Sequence, residues 1–88
     1  MDHATEQLAS SDSLLARIQD IFRAELEDDD LIIGPGTKQE DLKAWDSLAH
    51  IRLVSALESE FDIQFSLAEI EQINSVRQFV DTVNKHLA

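Results

Sequence analysis

The segment with the most chemical promise is Asp46-Ser47-Leu48. Asp is a strong helix N-cap, so Ser47 falls at the first helical position with its hydroxyl outward. A phosphate esterified there would meet the free N–H groups and the positive end of the helix. Such an exposed helix end stabilises a negative charge by roughly 0.3–1 kcal/mol. Ser47 is therefore well placed to carry a phosphodiester, although the same tripeptide also serves as a plain cap. His50 follows three residues on, the spacing of one helix face. A Ser–His hydrolytic pair would need an orienting acid and an oxyanion hole, and neither is evident. His50 reads instead as a contact for a partner.

Other chemistry is poorly supported. The chain has no Cys, which excludes disulfides, zinc–thiolate sites and side-chain thiol catalysis. It lacks the phosphate-binding glycine motifs, the His-Glu-x-x-His zinc motif and the nucleophile elbow. His3, His50 and His86 lie far apart, which argues against a shared metal site. Asp28-Asp29-Asp30 is consecutive and followed by aliphatic residues. A calcium loop needs alternating oxygen ligands, a central Gly and a distal Glu, so the run reads as a solvated acidic turn.

The elements that must position Ser47 are helical. Leu14, Leu15, Ile18, Ile21, Phe22 and Leu26 recur at helical spacing and predict a first helix over about 11–27, with Ser11, Asp12 or Ser13 as its cap. A long aperiodic stretch follows, broken by Gly34-Pro35-Gly36, where Gly would permit positive φ. So long a connection needs apolar anchors, and Leu31, Ile33, Leu42 and Trp45 suit that part. Thr37 to Glu40 has capping-box spacing for a single turn, and Trp45 is set to pack back onto the turn that Asp46 opens.

The second helix is predicted from Ser47 for about 14 residues, with Leu48, Ile51, Val54, Leu57 and Phe61 as its apolar stripe. Residues 61–65 read as its extended exit. Ser66 and Glu69 form a second capping box for a short third helix. Asn74 or Ser75 then opens a fourth over about 75–86, its stripe being Val76, Phe79, Val80, Val83 and Leu87. The fold class is all-α: a four-helix bundle of three main helices and one short helix, with a long loop before the second.

Composition bounds the function. Eighty-eight residues make one domain, read as a tail over 1–10 and a folded unit over 11–88. A core this small leaves little room for a deep active site, which favours a binding or carrier module over an enzyme. Seven basic against eighteen acidic residues leave a net charge of −11. Such a surface repels nucleic acid and anionic membranes and attracts basic patches. It also repels copies of itself, which predicts a monomer. No apolar run reaches membrane-spanning length, and the first residues lack a basic stretch followed by an apolar one. The expected location is the cytoplasm.

Taken together, Trp45-Asp46-Ser47-Leu48-Ala49-His50-Ile51, the helix exit Glu58-Ser59-Glu60-Phe61-Asp62-Ile63 and the order of helices make the chain resemble an acyl carrier protein from about Leu14 to Leu87. The resemblance implies that Ser47, flanked by Asp46 and Leu48, carries 4′-phosphopantetheine, transferred from coenzyme A by a phosphopantetheinyl transferase with Mg²⁺. Acyl groups would ride as thioesters on the thiol of that arm, which supplies what the absent Cys cannot. Partner enzymes with basic docking patches would load and process the cargo, and the carrier itself would not be an enzyme. Acyl chains in the family slip between helices, and the residues placed to line such a space are Leu48, Ile51, Val54, Phe61, Ile63, Ile73 and Val76.

The departures matter too. Many fatty-acid carriers are acidic just after the serine motif and again one turn on, whereas this chain has Ala49, His50 and Arg52 there and turns acidic only from Glu58. Ala49, His50, Arg52 and Glu58 are thus the expected partner contacts, and a dedicated fatty-acid, lipid or polyketide-type pathway is the expected setting. An aminoacyl or peptidyl carrier is the alternative within carriers. An acidic helical interaction module, with Ser47 a mere cap, is the alternative outside them.

Overall fold

The computed structural model describes residues 10–88. Four α-helices are present among them: α1 (Ser10–Glu25), α2 (Ser47–Phe61), α3 (Leu67–Gln72) and α4 (Val76–Leu87), with a 3₁₀ turn over Gln39–Asp41. The expected tail, apart from Ser10, lies outside the described residues. Helix α1 is already under way at Ser10, so Ser11, Asp12 and Ser13 sit within it and do not precede it.

Helix α1 buries Leu14, Ile18 and Phe22, one residue per turn, and packs against α2 and α4. It ends two residues before the expected boundary. Glu27 adopts a left-handed φ of 55°, while Asp28 N–H donates to the Arg23 carbonyl and Glu27 N–H to that of Ala24. This pairing closes the helix end and turns the chain away, with Leu26 still reaching the core.

The long loop is held at both ends of its path. Ile33 and Trp45 are buried, and Leu31 and Leu42 pack against the core. Arg23 Nε donates to the Leu31 carbonyl at 2.6 Å, and Ile33 N–H to Gln19 Oε1 at 2.8 Å. The loop then crosses to the start of α4. Val76 N–H donates to the Thr37 carbonyl, Arg77 N–H to Pro35, and Gln39 N–H to Asn74. Ser75 caps the next position through Gln78 N–H. Helix N-termini leave such N–H groups without partners, so the loop satisfies α4 and α4 fixes the loop.

Two local expectations shift. Neither Gly34 nor Gly36 has positive φ. Instead Gly34 begins a turn closed by Thr37 N–H on the Gly34 carbonyl, with Pro35 at its second position. Thr37 does not cap the 3₁₀ turn; its hydroxyl accepts from Gly34 N–H, and the turn forms one residue later, where Asp41 accepts from Lys38 N–H. The Ser66–Glu69 capping box forms as expected and opens α3.

At the centre, Phe22, Trp45, Phe65, Phe79 and His50 make one aromatic cluster. Phe22 meets Trp45 edge-on at 5.0 Å and Phe79 edge-on at 5.9 Å, while Trp45 stacks on Phe79 at 5.8 Å. Val54, Leu57, Val76 and Val83 complete the core.

Candidate functional site

Ser47 occupies the first position of α2, exposed, as its neighbours dictate. Asp46 is the N-cap in extended conformation, and its carboxylate accepts from Ala49 N–H at 2.8 Å. The Ser47 and Leu48 N–H groups have no carbonyl one turn back to bond within the helix. They face the end from which the Ser47 hydroxyl projects, so the local field favours an anionic ester there.

Trp45 precedes the cap and does pack onto the first turn. Its partner is His50, the fourth helical residue, which is the pairing of a hydrophobic staple. The rings stack at 6.0 Å, and Trp45 Nε1–H donates to His50 Nδ1 at 3.0 Å. With Nδ1 accepting, Nε2 carries the proton and donates to the Ile70 carbonyl of α3 at 2.9 Å.

This corrects part of the expected partner surface. His50 is only 8 % exposed and Ala49 is fully buried, so neither is a surface contact. The reason is the direction of the stripe. Residues spaced by three precess by about 60° per step around a helix, since each residue advances about 100°. The buried face of α2 follows Ala49, His50, Leu53, Val54, Leu57 and Phe61 instead.

Leu48 and Ile51 are consequently 67 % and 51 % exposed, which removes them from any interior space. The other expected lining residues do lie inward: Val54, Phe61, Ile73 and Val76 are buried, and Ile63 packs against them. Arg52 is on the surface, 3.7 Å from the Glu25 carboxylate of α1. Glu58 is half-buried and engaged within the fold. Its carboxylate accepts from Phe65 N–H at 2.9 Å, and its carbonyl accepts from Asp62 and Ile63 N–H as α2 ends.

Sequence reasoning missed a polar cluster at the far side of α3. Glu69 binds Lys85 Nζ, His86 Nε2 and Ser66 N–H, tying α3 to the end of α4. These contacts, led by Lys85, lower its carboxyl from 4.5 to about 2. The capping box marked Glu69, but nothing local pointed to Lys85 and His86.

Residues 16–83 match the family described as a phosphopantetheine attachment site. The solution structure of a holo acyl carrier protein from Geobacter metallireducens superposes with a TM-score of 0.77 at 36 % identity, covering 83 % of this chain and 84 % of that one. The chain belongs to the acyl carrier protein family. Among curated relatives, the acyl carrier protein of Buchnera aphidicola from Acyrthosiphon pisum (strain Tuc7) is 48 % identical over 46 residues, 52 % of this chain and 56 % of that protein. The strain 5A protein is 49 % identical over 49 residues, 54 % and 60 % of the two chains. The chain thus spans less than two thirds of the length of the curated relatives it matches.

The prosthetic group of such a carrier is covalently attached phosphopantetheine, and the family carries cargo without being an enzyme. The exposed hydroxyl, the capped helix start and the unbonded N–H groups around it fit a phosphodiester. No helix among the described residues is long and apolar enough to cross a membrane.

Proposed function

We propose that this protein carries acyl intermediates as thioesters on 4′-phosphopantetheine attached to Ser47 Oγ. The observation that carries the reading is an exposed serine at the first position of a capped helix, inside a matched attachment domain. The group, when bound, supplies a thiol on a flexible arm. The residues of this chain hold its root: Asp46 fixes the helix start, Trp45 and His50 brace it from within, and the α2 N–H groups face the phosphate.

Leu48, Ile51 and Arg52 form the exposed face beside Ser47. We assign docking of the transferase and acyl-processing enzymes to this face. Arg52, a basic residue on this face of so acidic a chain, fits a dedicated fatty-acid, lipid or polyketide-type pathway, served by a monomer in the cytoplasm. The partners' basic patches would meet the acidic residues around it.

The test is intact mass after incubation with coenzyme A, Mg²⁺ and a permissive phosphopantetheinyl transferase, on wild type and Ser47→Ala. The expected result is one added phosphopantetheine on wild type alone. Addition to Ser47→Ala would move the site. No addition with several transferases, on folded protein, would leave an acidic helical interaction module.

A further inference from the structure

Both ring nitrogens of the buried His50 are committed, and one commitment excludes a proton. The indole N–H of Trp45 can only donate, so its 3.0 Å bond requires a bare Nδ1 on His50. Nε2–H donates to the Ile70 carbonyl at 2.9 Å. A proton added at Nδ1 would set two N–H groups head to head. The Ile70 bond survives that change, because it already uses a donor. The Trp45 bond does not.

The loss falls beside Ser47. Trp45 immediately precedes Asp46, the cap of α2, and Ser47 is the next residue. The indole lies 5.0 Å from Phe22 and 5.8 Å from Phe79, so its N–H reaches no water unless the ring leaves the core. A buried donor without an acceptor is costly, so Trp45 or His50 must move when the proton arrives. Either movement undoes the staple that holds the first turn of α2.

Neither nitrogen of His50 has a carboxylate partner. The ring meets Trp45 from the loop, the Ile70 carbonyl from α3 and Phe79 from α4. Asp46 is bonded to Ala49 N–H, and Glu69 of α3 to Lys85 and His86 of α4. On α2 itself, Arg52 pairs with Glu25 and Glu58 accepts from Phe65 N–H. Lys43 in the loop, Glu71 on α3, and Arg77 and Asp81 on α4 are exposed.

Resting on the carrier reading, we infer that His50 is a proton-sensitive positioning residue for Ser47. Neutral His50 holds the attachment serine at the start of α2, and protonated His50 releases it. Acidification therefore withdraws Ser47 from the transferase while the rest of the bundle stays folded.

The experiment is an NMR titration of the full ¹⁵N-labelled chain between about pH 8 and 5, the range in which imidazole titrates. The single indole N–H reports Trp45, the amides of Ser47 and Leu48 report the start of α2, and circular dichroism reports the fold. The expected result is that these three resonances move together with the His50 ring signals while the helix content holds. His86 titrates in the same range, so His86→Gln should leave the movement in place. His50→Gln should abolish it, since its amide can accept from Trp45 and donate to Ile70 without ever taking a proton. Trp45→Phe removes the opposing donor, so the Ser47 and Leu48 amides should cease to follow His50, which keeps the test open if His50→Gln does not fold. The rate of phosphopantetheine addition, wild type relative to His50→Gln with one transferase, should fall about threefold or more from about pH 8 to about 5.5, because only the held fraction is modified. Taking the ratio cancels the pH response of the transferase itself.

Three results would overturn the inference: an indole resonance that stays still throughout, a movement that survives His50→Gln, or loss of the whole fold at the same midpoint. A flat rate ratio alongside moving resonances would overturn the link to Ser47. If no transferase modifies the chain, the carrier reading fails by itself, and the titration still decides whether His50 holds the start of α2.

Discussion

At the scale of single residues, the Trp45–His50 pair shows how a polar side chain becomes core. Each polar atom has one partner: Trp45 donates, His50 accepts on Nδ1 and donates on Nε2. Trp45→Phe keeps most of the ring and removes only the donor. A buried acceptor left unmade costs about 1–3 kcal/mol. The urea midpoint should fall accordingly with an unchanged m-value; an unaltered midpoint would mean that stacking alone holds His50. The sequence marked Trp45 as an anchor because a large aromatic before a cap has few other places to go. His50 could not be read the same way, since its second partner is a carbonyl 20 residues on. Glu69 behaves similarly: its capping role with Ser66 is local, its bond to Lys85 is not. Its carboxyl is lowered to about 2, chiefly by Lys85. A depressed carboxyl contributes stability above its unfolded value of 4.5 that is lost as pH falls through about 2. The stability gap between wild type and Glu69→Gln should therefore be full at neutral pH and close between pH 4.5 and 2. A gap that persisted to the bottom of that window would show that the charge is not what Glu69 contributes.

At the scale of elements, the ends of helices were readable and the faces less so. Asp46, Ser66 and Ser75 cap helices as their types and spacing require, because a cap is satisfied within one turn. The buried face of α2 departs from the apolar stripe at its start because Ala49 and His50 carry only a weak apolar signal, while Leu48 and Ile51 carry a strong one on the exposed side. The bonds that stitch the loop to α4 are between backbone groups, which leave no mark on residue type. Two predictions belong here. The Glu58 carboxylate pins the exit of α2 by accepting from Phe65 N–H, so Glu58→Ala should cost about 1–2 kcal/mol in denaturant, with Glu58→Gln recovering much of it. Gly34 and Gly36 have open space where a Cβ would stand and no positive φ. Replacing either with Ala should leave the fold intact and raise stability by about 0.4–1 kcal/mol, through a less flexible unfolded chain. A loss instead would show that the turn around Pro35 flexes in the native state.

At the scale of the whole molecule, charge sets the balance. A net charge of −11 spread over one small domain opposes compaction, since every carboxylate is brought nearer the others on folding. The opposing term is a few ion pairs, among them Arg17 with Glu60 at 2.6 Å and Arg52 with Glu25 at 3.7 Å. Both pairs are largely exposed, and such pairs contribute about 0–1 kcal/mol each. Arg17 adds a packing contribution by lying 4.4 Å above the Phe61 ring, a contact that salt screens less. Screening thus weakens a repulsion shared by the whole surface while removing little attraction. The thermal midpoint should rise as sodium chloride increases from low to physiological concentration, where the Debye length shortens to about 8 Å. Arg17→Gln should steepen that rise, because it makes the chain more negative and removes a counter-charge at the α1–α2 contact. A midpoint that fell with salt would mean that the ion pairs outweigh the repulsion. The fold would then be held by its few cations and not merely spared by them.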